Sequence, residues 1–410
     1  MVINGRPRGC ITLPPSKSYA HRALLAAGLA GGCRVENALC SADTEATLRA
    51  LLALGAEVTA EGQTAVIGKP IDGGTLSEID CGESGSTLRF LIPLAAVLRD
   101  KTTFIGHGRL PERPLTPYEQ ALGDKLTFRR DGNRLTVEGR LTAGNYSLPG
   151  DVSSQFITGL LFALPLAEGD STVTLTTPLQ SAGYVRLTLE VLAQFGIAVT
   201  CRDERVFEIK GRQVYRPTDY AVEGDFSGAA FFLVAGALGC AVECCGLNAA
   251  SAQGDTAILR FLREAGATVS QGAHGGLVVT AERLHGITAD VTDCPDLVPP
   301  LAALLAFCEG ESRIIGAARL RLKESDRLAA VTAELTALGA DIREQKDSLV
   351  FRGVDRLHGG SCRSWNDHRI AMMVAIAALR ADGEVLLDDP ACVAKSYPRF
   401  WDDYKGEDAL

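Results

Sequence analysis

What the sequence most lacks is positive charge. Its 410 residues carry 41 Lys and Arg against 50 Asp and Glu, a net charge of −9 at pH 7, with an isoelectric point of about 5.3. A general binder of nucleic acid or of anionic membrane is usually basic, so neither partner is expected. A local cationic pocket stays open as a reading. An apolar export signal is missing from the opening MVINGRPRGC, and the chain reads as cytoplasmic. The nearest approach to a membrane span, residues 228–245, is short, Gly-rich and contains Glu243. It reads as a buried helix followed by a strand.

Metal and nucleotide motifs are also missing. The 12 cysteines are scattered, with no C-x-x-C pair. Cys244 and Cys245 are adjacent and Cys240 lies one turn away, yet no histidine cluster accompanies them. Buried reduced thiols fit better than zinc. No G-x-x-x-x-G-K-[ST] occurs, which argues against a P-loop. The stretch CGESGST (81–87) sits between a plausible strand and a helix but lacks G-x-G-x-x-G. Gly106-His107-Gly108 reads as a turn. No H-E-x-x-H or other metal spacing is present, and neither metal nor cofactor is expected. At 46% hydrophobic, the chain can bury a large core, and its length suggests two or three domains.

What is present is repetition. An apolar helix tail ending in Gly and running into a strand recurs as LLALGAEV (51–58), VLAQFGIAV (191–199), FLREAGATV (261–269) and ELTALGADI (334–342), with a degraded copy in QALGDKL (120–126). Its glycines are Gly55, Gly196, Gly266, Gly339 and Gly123, each an expected left-handed helix cap. A second element, helix end then turn then β-rich strand, appears six times, as in PLAEGDSTVTL and AFCEGESRIIG. The helices leading into it are apolar on all sides, so they should be buried. Each repeat reads as βαβαββ. Six repeats divide into three plus three, with the join near Glu223-Gly224-Asp225. The expected domains are 13–224, and 225–410 with the N-terminal strand 1–12. The last repeat lacks a final strand, which Val2 to Thr12 would supply.

The polar clusters fall at equivalent helix starts: Ser16-Lys17-Ser18, Ser84-Gly85-Ser86, Ser153-Ser154-Gln155, Pro295-Asp296 and Asn366-Asp367-His368-Arg369. A second helix set begins at Ser181, at Lys323-Glu324-Ser325-Asp326-Arg327 and at Ala394-Lys395-Ser396. Ser, Asp and Asn are ordinary caps. Lys17, Arg22, Lys323, Arg327, Arg369 and Lys395 are not, because a cation in the first turn opposes the helix dipole unless an anion lies between them. The arrangement suits a cleft for a highly anionic small molecule, or two.

With these residues assembled, the sequence resembles the 5-enolpyruvylshikimate-3-phosphate synthases of the enolpyruvyl transferase family. The resemblance runs from Leu13 to about Tyr397 through LPPSKSYAHRALL, GESGSTLRFL, GRLPERPL, SSQFITGLL, the Ser181–Tyr184 segment, CPDL, LRLKESDRL, WNDHRIAM and DPACVAKSYP. It implies a two-domain inside-out α/β barrel of six βαβαββ-type repeats, three per domain, with helix N-termini facing a cleft that closes on substrate. It implies transfer of the enolpyruvyl group of phosphoenolpyruvate to the 5-hydroxyl of shikimate 3-phosphate, with release of phosphate, by a monomer.

By the same resemblance, Lys17, Gly85, Arg113, Gln155, Arg327, Arg369 and Lys395 hold phosphoenolpyruvate. Ser18, Arg22, Ser153, Ser154, Gln155, Ser181, Tyr184, Asp296 and Lys323 hold shikimate 3-phosphate. Arginine forks suit carboxylate and phosphate oxygens. The hydroxyl must add to C2 while C3 gains a proton, and phosphate then leaves as C3 loses one. This needs acid–base groups and negative charge near C2. Asp296 is the candidate base for the hydroxyl, and Glu324 the proton donor and acceptor at C3, with Lys17 and Lys323 assisting. The plainer alternative is that Asp296 and Glu324 cap helices and pair with Lys or Arg. His368 is either an acid or a support for its neighbours.

Three positions depart from the family pattern: Glu83 in place of a common Asn, Arg319 in place of Asn or an acid, and Ser86 in place of Thr. Arg319 would touch phosphate or point to solvent. Retention of Gly85 implies sensitivity to glyphosate. Two other readings stand beside this one. A UDP-N-acetylglucosamine enolpyruvyl transferase shares fold and donor but usually has Asn after the first-motif lysine, where Ser18 follows Lys17 here. A non-catalytic anion-binding protein would need the cations but not both Asp296 and Glu324.

Overall fold

The computed structural model describes residues 1–39, 41–74, 77–248 and 250–406. Positions 407–410 of the second expected domain lie outside them. The strands form six small separate sheets, and no closed barrel forms among the described residues. Contacts divide the chain into two units, residues 17–222 and residues 1–16 with 223–410.

The unit 17–222 carries three four-stranded sheets with one pattern. In the second repeat, Glu78–Asp80 lies parallel to Lys101–Ile105, which pairs antiparallel with Arg134–Gly139, and that in turn with Leu126–Asp131. Helices Gly85–Leu98 and Thr116–Leu122 fall between the first three strands in sequence, giving βαβαββ. The third repeat follows the same pattern with Asn145–Leu148, Ser171–Leu175, Val206–Ile209 and Val199–Arg202. Inward positions alternate along Ser171–Leu175, where Ser171, Val173 and Leu175 are buried, because side chains on a strand point to opposite faces in turn. Charged Glu57 and Glu61 on the edge strand Glu57–Glu61 are exposed, which discourages further strand addition.

The unit 1–16/223–410 repeats the pattern with the chain ends filling gaps. Gly9–Thr12 lies parallel to Val242–Cys245 and so leads the fourth repeat. Val2–Ile3 pairs antiparallel with Ala381–Leu387 in the three-stranded sixth sheet. The N-terminal stretch expected to supply one strand therefore serves two sheets. In the other unit, Tyr220–Ala221 plays the leading role beside Cys33–Glu36. The two passages of the chain lie side by side: Ser16 N donates to Glu223 O at 2.7 Å and Asp225 N to Pro14 O at 2.9 Å.

Buried helices form each core. All twelve residues of Phe226–Ala237 are buried, and this helix packs with Val298–Leu305 and His368–Ala378. Stretch 228–245 is thus the expected helix and strand. Gly55, Gly196, Gly266 and Gly339 have φ between +79° and +95°, where a Cβ would be strained. Gly123 differs: it caps its helix at φ −66°, so the degraded copy lost the left-handed turn. In the other unit, Pro93 lies inside helix Gly85–Leu98. Lacking an N–H, it cannot bond the carbonyl of Arg89. Tyr118 Oη takes that role, 2.8 Å from Arg89 O, and lies 3.0 Å from Phe156 O.

The thiols depart from the expectation in one place. Cys10 and Cys245 are joined by a disulfide across the paired strands, with Cα atoms 6.5 Å apart. Register sets Cys10 opposite Glu243 and Cys245 opposite Thr12, a diagonal that brings the two side chains together. Their separation of 235 residues left no spacing signal. The other described cysteines are free, and all but Cys201 are buried.

Candidate active site

In the unit 17–222, the helix starts are bonded to one another. Ser84 and Ser153 cap the helices Gly85–Leu98 and Ser154–Ala163 through their hydroxyls, as their residue type favours. Gln155 Nε2 donates to Ser86 Oγ at 2.9 Å, and its Oε1 accepts from Arg89 Nη1 at 2.6 Å. Lys17, first in its helix, pairs with Asp43 Oδ2 at 2.9 Å. Gly85 makes room for Arg113: a Cβ there would stand 2.5 Å from Nη1 and 2.9 Å from Cζ. Arg113 Nε is buried without a hydrogen-bond partner among the described residues. A guanidinium held so, beside a helix N-terminus, suits an incoming anion.

Arg22 sits deeper than a simple surface contact would. It is 3% exposed. Nε donates to Thr188 Oγ1 at 2.8 Å, Nη1 to Ser18 O at 2.7 Å and Nη2 to Tyr184 O at 3.0 Å. Burial pushes its pKa down to about 10 against the opposing influence of Tyr184, Tyr19 and Tyr220. It therefore gathers Ser18 and Tyr184, two other expected acceptor-site residues, around one cation. Ser181 begins the next helix in the left-handed region at φ +58°. His21 Nδ1 lies 2.7 Å from Thr47 Oγ1. Burial, then the charges of Lys17 and Arg22, hold its pKa well below the ordinary value.

The unit 1–16/223–410 holds a denser cluster. Arg327, 1% exposed, spends its fork on three carboxylates. Nη1 meets Asp296 Oδ1 at 2.8 Å, Nη2 meets Glu324 Oε2 at 2.7 Å, and Nε meets Asp367 Oδ2 at 2.8 Å. Burial lowers its pKa, but Asp367, Glu324 and Asp296 together raise it above the usual arginine value. Asp296 also receives Arg369 Nη2 at 3.1 Å and Lys323 Nζ at 3.5 Å. Neither Asp296 nor Glu324 is a helix cap. Asp296 lies within the 3-10 turn Pro295–Leu297, and Glu324 precedes the Asp326 cap of helix Arg327–Ala337. Ion pairing alone survives from the plainer alternative.

Asp367 is the residue the sequence reading underused. It caps helix His368–Ala378 by accepting from Arg369 N at 3.0 Å, and also holds Ser325 Oγ at 2.9 Å. Trp365 and Asn366 before it take φ of +58° and +51°, a strained pair for non-glycine residues. Glu334 holds that turn, accepting from Trp365 Nε1 at 2.7 Å and Arg363 N at 2.8 Å. Lys395 does not begin a helix, contrary to expectation. It ends the 3-10 turn Ala391–Lys395, and the next helix starts at Phe400, after Pro398 disfavours helix at Tyr397. Lys395 Nζ reaches Asn366 O at 2.8 Å. His368 is 1% exposed.

Of the departures, Ser86 serves as the acceptor for Gln155. The Glu83 carboxyl lies against Gly108, where a Cβ would come within 2.7 Å of it. Arg319 donates to Thr292 O, a backbone partner that the sequence reading did not foresee.

The family model for EPSP synthase (3-phosphoshikimate 1-carboxyvinyltransferase) matches residues 3–404. A 3-phosphoshikimate 1-carboxyvinyltransferase of Clostridium perfringens is 43% identical over 99% of this chain and 97% of its own. One from Clostridium kluyveri is 44% identical over 97% and 94%. Among solved structures, EPSP synthase from Acinetobacter baumannii superposes with a TM-score of 0.79 at 26% identity, covering 98% of this chain and 96% of that one. The enolpyruvyl transferase NikO from Streptomyces tendae shares the fold, with a TM-score of 0.79 at 19% identity over 98% and 95%. Family match, relatives and fold agree over nearly the full length, and the chain belongs to the EPSP synthase (3-phosphoshikimate 1-carboxyvinyltransferase) family.

Proposed function

We propose that this chain is a transferase of the shikimate pathway. It moves the enolpyruvyl group of phosphoenolpyruvate to the 5-hydroxyl of shikimate 3-phosphate and releases phosphate, and so serves aromatic amino acid biosynthesis. One observation carries the reading beyond family membership: Asp296 and Glu324 share the buried fork of Arg327, with Lys323 and Arg369 on the same Asp296 carboxylate. Carboxylates and cations are thereby fixed side by side, as an addition–elimination needs.

In the addition, the 5-hydroxyl oxygen bonds to C2 as the C2–C3 double bond opens. Asp296 takes the hydroxyl proton and Glu324 gives a proton to C3. In the elimination, the bond from C2 to the phosphate oxygen breaks, and C3 returns its proton to Glu324 as the double bond re-forms. Asp296 passes its proton to the departing phosphate, so one proton moves in all from the hydroxyl to phosphate. Lys17 and Lys323 assist with charge. Phosphoenolpyruvate is assigned to Lys17, Gly85, Arg113 and Gln155 in one unit, and to Arg327, Arg369 and Lys395 in the other. The buried Arg113 Nε, without a hydrogen-bond partner among the described residues, supports its place in that set. Shikimate 3-phosphate is assigned to Ser18, Arg22, Ser153, Ser154, Gln155, Ser181 and Tyr184, and to Asp296 and Lys323. Glyphosate is expected to compete with phosphoenolpyruvate next to Gly85. The working form is a cytoplasmic monomer, which light scattering on the purified protein tests.

The deciding assay is phosphate release with phosphoenolpyruvate and either shikimate 3-phosphate or UDP-N-acetylglucosamine. Release with the first acceptor alone is expected, and Asp296→Ala and Glu324→Ala should each abolish most of it. Silence with shikimate 3-phosphate would overturn the reading.

A further inference from the structure

A buried carboxyl outside the assigned set lies in the field of Asp296 and Arg369. Asp255 lies in the 3-10 turn Gly254–Ala257 and is 4% exposed. Ser227 Oγ, in the first turn of helix Phe226–Ala237, donates to Asp255 Oδ2. Oδ1 is buried with no hydrogen-bond partner among the described residues. An ionised carboxylate with one oxygen dry and unpaired is costly, and the neutral acid far less so.

The surrounding charges point the same way. Burial pushes Asp255 up to about 7, and the negative charges of Asp296 and Asp225 add to this. Arg369 and the Ser227 hydroxyl oppose them. Asp225 and Ser227 belong to the start of helix Phe226–Ala237, which packs on the turn that carries Asp255, while Asp296 comes from the turn Pro295–Leu297 and Arg369 from helix His368–Ala378. The nearby Cys294 thiol is held protonated by burial and by Asp255. Arg369 in turn is stabilised in its charged form by Asp296, Asp255 and Asp225, against burial and Arg327. Arg369 thus contacts Asp296 at 3.1 Å while it also feels the charge of Asp255.

We propose that Asp255 is a positioning residue for the transfer: protonated, it leaves Arg369 to Asp296 and to the incoming anion, and ionised, it draws Arg369 toward itself. This rests on the assignment of Arg369 to phosphoenolpyruvate made above. Near neutral pH the protein is then a mixture of a form ready for the anion and one that is not. Apparent affinity falls by the fraction that is ready.

The test is steady-state kinetics of the full chain from pH 5.5 to 9, varying phosphoenolpyruvate at saturating shikimate 3-phosphate. In the unaltered protein, KM for phosphoenolpyruvate should rise above pH 7 by up to about tenfold per pH unit. Asp255→Asn, neutral and of the same shape, should remove that rise. Ser227→Ala removes the bond that favours the ionised form, so the rise should move to higher pH. Titration of the substrate itself affects all three proteins alike and cancels in the comparison. Absence of the rise in the unaltered protein, its persistence in Asp255→Asn, or a shift to lower pH in Ser227→Ala would each overturn the proposal. Should Asp255→Asn not fold, Ser227→Ala decides alone. Arg369→Gln separates the two layers. An unchanged KM there defeats the placement of Arg369. A raised KM there, with the rise still present in Asp255→Asn, defeats only the role of Asp255.

Discussion

At position 85 the absence of a side chain is what lets Arg113 lie flat against a helix start. Gly85→Ala should push that guanidinium aside and weaken the grip on phosphoenolpyruvate. Loss of one charge-assisted bond is about 1.5–3 kcal/mol, or roughly 10- to 100-fold in KM, with a smaller change in kcat. Initial rates at varied phosphoenolpyruvate check this, and an unchanged KM would refute it. His21 gives a stability prediction. It is buried and neutral, whereas the unfolded chain binds a proton below about pH 6.5. Its depressed pKa therefore favours the fold above that pH, and the benefit is lost as pH falls. The Tm of the unaltered protein should drop relative to His21→Gln below pH 6.5 and run parallel above it. Curves parallel down to pH 4.5 would count against the assignment. Cations at helix starts were legible in the sequence because they break the rule for first turns, as at Lys17 and Arg369. Asp255, Asp367 and Arg89 were not, since acids near helix starts and a basic residue inside a helix break no rule that a sequence can display.

Elements show the same division. The βαβαββ repeat could be read because each helix–Gly–strand junction needs a left-handed residue, and glycine marks it four times. The turn at Trp365 and Asn366 could not be read, because bulky residues hide a left-handed backbone that Glu334 enforces from another helix. Pro93 costs its helix one backbone bond without ending it, and the remedy, Tyr118, lies on a different helix. Tyr118→Phe should remove the hydroxyl that the Arg89 and Phe156 carbonyls share, costing about 0.5–1.5 kcal/mol, read as a lower urea midpoint. A midpoint within error of the parent would mean that another group takes the bond. Asp367→Ala removes a helix cap and one of the three acids on Arg327. Breaking a buried pair this way costs about 3–5 kcal/mol, again visible in urea, together with loss of transfer activity. Retention of both would show the cluster to be dispensable.

For the whole molecule, the two passages of the chain matter most. The unit 17–222 is one continuous stretch that closes its first sheet with its own last strand, Tyr220–Ala221. Expressed alone, it should unfold in a single cooperative transition by calorimetry, and a featureless trace would refute that. The other unit is discontinuous, yet its two cut ends are already hydrogen-bonded, Ser16 to Glu223. That pairing sets an order of events during synthesis. Val2–Ile3 and Gly9–Thr12 emerge early, but their partners Ala381–Leu387 and Val242–Cys245 emerge far later. At about 5–20 residues per second, the early strands wait on the order of tens of seconds. Meanwhile the inserted unit can finish folding on the ribosome. Cys10 stays an open thiol throughout that interval, so the earliest part of this chain to be made is among the last to be locked.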